Sequence, residues 1–132
     1  MGVWAQNGTQ KKAAATPAIA CPAARDVEPA HLWGLWRVSF ETLPGATLLF
    51  EKHPEFAGSV SGAINRAGVQ SLVAGDADDG VFTLEESLDG SNITATWNGT
   101  IVDNSCAKEI RGIWKNVANG QEQAFVLHKL QP

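Results

Sequence analysis

The sequence contains no tyrosine, a single methionine and only two cysteines, and 18% of its 132 residues are charged. Two cysteines are too few for a multi-bridge disulfide framework, and their spacing is not that of a zinc site. Ten Lys and Arg against fourteen Asp and Glu leave a net charge of −4. Such a chain lacks the basic face that phosphate binding demands, so no nucleic acid is expected as a partner, and an anionic membrane surface is disfavoured for the same reason. No run approaches the roughly 18 consecutive apolar residues of a transmembrane helix. Nucleophile elbows, phosphate-cradling glycine loops and catalytic Cys/His signatures are also missing. His31, His53 and His128 are too scattered to suggest a triad or a metal site. The expectation is a protein that is not an enzyme and carries no cofactor.

What is present is 44% hydrophobic residues and 13 glycines, enough for one domain with one core. Residues 1–30 read as an N-terminal arm, since Pro17, Pro22 and Pro29 forbid a long helix; residues 31–132 read as the folded domain. One helical turn is predicted from Asp26 to His31, with Asp26 as its cap. Met1 to Gln6 are small and apolar, and read equally as the trimmed end of an export signal or as residues without meaning for the fold. Cys21 and Cys106 form one disulfide if the compartment is oxidising, and are two buried thiols otherwise. A bridge would tie the arm to the domain, and a periplasmic or secreted location follows from it.

From Leu32 onward the chain becomes a series of short alternating runs with turn residues about every ten positions. The runs are Leu32 to Glu41, Ala46 to Lys52, Ala57 to Asn65, Val69 to Gly75, Val81 to Ser87, Asn92 to Val102, Ala107 to Lys115 and Glu122 to Leu130. Arg66-Ala67-Gly68, Asp89-Gly90 and Asn119-Gly120 are hairpin chemistry. Asp76-Ala77-Asp78-Asp79-Gly80 reads as a charged hairpin turn, being too short a ligand set for a calcium loop. Connections this short leave no room for crossover helices, so neighbours are antiparallel. The predicted fold is all-β, an eight-stranded antiparallel up-and-down barrel, because closure removes the unpaired edges of an open sheet. Alternation directs Trp36, Val38, Phe40, Ile64, Phe82, Ile93, Ala95, Trp97, Trp114 and Val126 inward, with His128 beside Val126. Glu85 and Glu86 are assigned to solvent and rim.

Gly34-Leu35-Trp36 resembles the Gly-x-Trp opening of the calycin barrels, and Ala95-Thr96-Trp97-Asn98-Gly99, followed by Val102, Ile110 and Trp114, resembles the avidin and streptavidin type within them. The resemblance implies a barrel whose ligand site is walled by Trp97 and Trp114, with a cation from Arg111 or Lys129 covering Trp36. The candidate ligand-binding residues are therefore Trp36, Trp97 and Trp114 with Ile64, Phe82 and Ala95. It also admits a homo-oligomer, since avidin-like barrels often pair. The polar positions of the biotin pattern are not kept. Ala95 and Ile93 stand where hydroxyl residues precede the sixth-strand Trp, Val38 replaces an Asn, and Ile64 and Arg66 replace a hydroxyl pair. Each unsatisfied group of a buried urea-like head costs about 1 to 3 kcal/mol, so the expected ligand is a small apolar or aromatic molecule and not biotin. The alternative is a protein-binding inhibitor or immunity-type module, for the layout is similar to small bacterial metalloprotease inhibitors, disulfide-bearing barrels that use an N-terminal arm.

Overall fold

The structure, a computed structural model, describes residues 21–130. Most of the expected arm, residues 1–20, lies outside the described residues. Eight strands follow in order: β1 (Gly34–Phe40), β2 (Ala46–Lys52), β3 (Ser59–Arg66), β4 (Val69–Asp78), β5 (Val81–Ser87), β6 (Ile93–Ile101), β7 (Glu109–Asn116) and β8 (Glu122–Lys129). Each pairs antiparallel with the next, and β8 returns to β1 to close an up-and-down barrel, as the alternation predicts.

The turns show why the chain reverses where it does. Ala67-Gly68 and Asp79-Gly80 join β3 to β4 and β4 to β5, with φ of 54° and 86° in the first and 51° and 81° in the second. Two consecutive positive φ values give the turn whose twist matches that of the flanking strands. The β6–β7 connection is different. Asn104, Cys106 and Ala107 all have positive φ, and Cys106 is bridged to Cys21. This irregular backbone delays β7 to Glu109, two residues later than the run beginning at Ala107 suggests.

Instead of one turn from Asp26, the chain before β1 forms two, a 3-10 turn at Ala24–Asp26 and an α-helical turn α1 at Pro29–Leu32. Pro29 splits them, and Glu28, not Asp26, begins the helical turn, its backbone N–H donating to His31 Nδ1 at 2.9 Å. Leu32 is fully buried and plugs this end of the barrel, and Trp36 Nε1 donates to its carbonyl at 2.8 Å. Lys129 Nζ donates to the His31 carbonyl at 2.9 Å, tying α1 to β8.

A single cluster fills the barrel, and its largest members are Trp36, Trp97, Phe50, Phe82 and Phe125. The wall curls tightly enough that a Cβ on Gly62 would collide with the Leu49 carbonyl on the neighbouring strand. Only glycine fits at such a corner.

Four residues depart from the side that the sequence predicts for them. Ser87 pairs with Ile93 while Glu86 pairs with Ala95, so Thr94 is an extra residue, and this irregularity turns Ile93 outward. In β8 the apolar triplet Phe125-Val126-Leu127 hides the alternation; Phe125 and Leu127 point inward, whereas Val126 and His128 face out. Glu86 is not a rim residue but a core residue, at 1% exposure.

Candidate functional site

Glu86 organises the interior at the end of the barrel opposite α1. Alternation along β5 places it on the face of Phe82 and Leu84. Its Oε2 accepts the Trp97 and Trp114 indole N–H groups, each at 2.8 Å. The Arg66 guanidinium grips the same carboxylate through Nη1 and Nη2, both at 3.2 Å, and lies 5.9 Å from the centre of the Trp114 ring. A lone buried carboxylate would be prohibitive; one with a bidentate guanidinium and two further donors is compensated. Among the described residues the cation–π contact is thus Arg66 on Trp114; of the two cations expected over Trp36, Lys129 bonds to the His31 carbonyl and Arg111 to Glu109.

Aromatic rings close around this cluster. Phe40 lies 5.7 Å from Trp97 and 5.6 Å from Trp114, and Phe125 lies 4.9 Å from Trp97. Gln123, also buried, accepts from the backbone N–H of Thr42 at 2.9 Å and from its hydroxyl at 3.2 Å, holding the β1–β2 loop in place.

The six candidate ligand residues are all buried. Trp97 and Trp114 are register partners on β6 and β7, with Ala95 on the same strand as Trp97. Trp36 and Phe82 belong to a second aromatic group, joined through Phe50 at centroid distances of 5.8 and 6.1 Å. The structure therefore brings the two walls together and places Trp36 with Phe50 and Phe82. The preference of glutamate for water hides Glu86 in the sequence, although its position two residues after Leu84 and four after Phe82 places it on their face.

Among the described residues, lysine and arginine are absent from the lining of a groove of about 650 Å³ on the outside of the wall, over β2 to β6. Two rows of cross-strand partners build it. One runs Glu51, Ser61, Ala74, Glu85; the adjacent one runs Leu49, Ala63, Leu72 and on to Ser87 and Ile93. Ser61 and Ala74 in the first row, and Ala63 between Leu49 and Leu72 in the second, leave room on the surface. Leu49, Leu72 and Ile93 are exposed.

Gly90 and Ser91 of the β5–β6 loop complete the rim. Asp89 stiffens that loop. It accepts from the Ser91 and Asn92 backbone N–H groups at 2.8 and 2.9 Å, and from Asn92 Nδ2 and the Ser87 hydroxyl at 2.9 and 3.1 Å. Those bonds, the Asn92 and Ser91 amides foremost, hold its carboxyl well below the usual carboxylate range.

On the far side, Arg111 Nε donates to Glu109 at 2.6 Å, with His128 at 3.6 Å; the Arg111 bond is the main reason the Glu109 carboxyl titrates lower than usual. Among the described residues no cluster of His, Cys, Asp or Glu is arranged to hold a metal ion, and no helix is long and apolar enough to cross a membrane. The fold is consistent with a calycin-like barrel. Neither a known protein-family model nor a curated protein matches the chain.

Proposed function

We propose that this chain is an exported, non-enzymatic binding barrel that recognises a partner protein on its outer surface, with the interior serving as scaffold. One observation carries the reading: the groove lies on the outside of the wall, whereas Trp97 and Trp114 are spent on Glu86 and packed against Phe40 and Phe125. An oxidising compartment such as the periplasm or the exterior fits the Cys21–Cys106 bridge. Non-enzymatic action fits the surroundings of Glu86, which is buried and holds Trp97, Trp114 and Arg66 through four hydrogen bonds.

Paired Trp on β6 and β7 supports a kinship of architecture with avidin-type barrels. It also keeps a second reading in view, in which a small apolar molecule slides between the two indoles. That requires Phe40 to swing away from both rings and the ligand to replace their contacts.

Thermal unfolding and tryptophan emission in the presence of indole, naphthalene and a medium-chain fatty acid discriminate the two. Under the surface reading none of these raises the melting temperature or alters the emission. Stabilisation accompanied by a spectral change that disappears in W114F assigns the interior to a ligand and overturns it. Removing residues 1–20, which spares Cys21 and its bridge, separates the contribution of the arm from that of the wall.

A further inference from the structure

We infer that the outer groove takes an extended segment of a partner protein in which apolar side chains are flanked by two basic ones. The inference rests on the surface reading above and names the chemistry of the partner.

Closure of the barrel removes the first alternative. Every strand is paired on both sides, so a peptide cannot add as a ninth strand and must be held by its side chains. The groove supplies two kinds of contact. Leu49 and Leu72 present exposed apolar surface on either side of Ala63 in one cross-strand row, and this surface gains by being covered.

In the neighbouring row Glu51 and Glu85 stand at the two ends, with only Ser61 and Ala74 between them. Among the described residues neither carboxylate has an ion-pair partner and no Lys or Arg lines the groove. An acidic segment would meet uncompensated like charge, and a neutral one would leave both carboxylates as they are. A basic one is attracted at both ends, and the overall charge of −4 adds to its steering.

The spacing sets the register. Glu51 and Glu85 are separated by three inter-strand steps, about 14 Å along the sheet, which an extended chain covers in about four residues. The matching segment carries Lys or Arg about four positions apart with apolar residues between.

Fluorescein-labelled peptides built on Lys-Leu-Ala-Leu-Lys, Glu-Leu-Ala-Leu-Glu and Lys-Ser-Gly-Ser-Lys test this by anisotropy with the full-length oxidised protein. The first is expected to bind at least about tenfold more tightly than either control, and raising the salt from about 50 to about 200 mM is expected to weaken it severalfold. E51Q combined with E85Q is expected to cost about tenfold, and L72K to cost as much through the apolar row, with melting temperatures unchanged because these side chains are on the surface. Equal binding of the acidic peptide, affinity within twofold after the double substitution, or no binding of the first peptide overturns the inference. In each of these cases the surface reading stands unless the apolar small molecules shift tryptophan emission, which is the result that removes it.

Discussion

Trp97 and Trp114 share one acceptor: each donates its indole N–H to the same oxygen of Glu86 at 2.8 Å. Two aromatic side chains that would otherwise wall a cavity are thereby pinned to a buried charge, and the charge is balanced by Arg66 from across the barrel end.

Removing that acceptor leaves two buried indole N–H groups and a guanidinium without a partner. E86A is expected to lose about 3 to 5 kcal/mol of stability, measured by urea unfolding. E86Q keeps an acceptor for the indoles but turns an amide donor toward Arg66, and is expected to fall between E86A and the wild type. A loss no larger for E86A than for E86Q would show that the indoles do not depend on the carboxylate.

The Cys21–Cys106 bridge spans 85 positions of sequence. Chain-entropy arithmetic for a loop of that size gives about 4 to 5 kcal/mol from restriction of the unfolded chain. C21S/C106S is expected to keep the barrel's circular dichroism while its denaturation midpoint drops accordingly. An unchanged midpoint would mean that the unfolded chain is already constrained in this region.

Acid should loosen the β5–β6 loop through Asp89. Because its folded-state pKa is depressed, its contribution is complete above the ordinary carboxylate value near 4 and is lost as the pH falls below it. The difference in urea midpoint between the wild type and D89A is therefore expected to be full at neutral pH and to narrow progressively below about pH 4. A difference that stays constant down to pH 2 would assign the effect of D89A to packing alone.

Gly62 is a steric test of the barrel's curl. G62A places a methyl group against the Leu49 carbonyl on β2 and is expected to cost about 3 kcal/mol or more, because backbone and not a flexible side chain has to move. G68A offers a comparison, since nothing lies near a Cβ there and only the positive φ opposes it. A smaller loss for G62A than for G68A would contradict the tight corner at β3.

Much of the fold was legible one residue at a time. Trp36, Val38 and Phe40 alternate with Leu35, Arg37 and Ser39, Asp79-Gly80 and Ala67-Gly68 supply turn chemistry, and an even pair of cysteines suggests a bridge. All of these are local signals: a side-chain period of two and a preference for left-handed φ act within a few bonds. Alternation along β5 even contained the placement of Glu86, obscured by the usual preference of glutamate for water.

By itself, then, the sequence determined the number of strands, their order, most of their turns and most of the inward face; Asp76, Ala77 and Asp78, expected in a turn, instead continue β4 as partners of Thr83, Phe82 and Val81. Tertiary structure alone decided that Ile93 turns outward, because its direction depends on the irregularity that makes it the partner of Ser87. It also decided that four residues from four strands, Glu51, Ser61, Ala74 and Glu85, form one row on the outside of the wall. Each strand shows only its own alternation; which residues stand side by side is set by the register between strands, and register is fixed only when every pairing and the closure of the barrel are satisfied together.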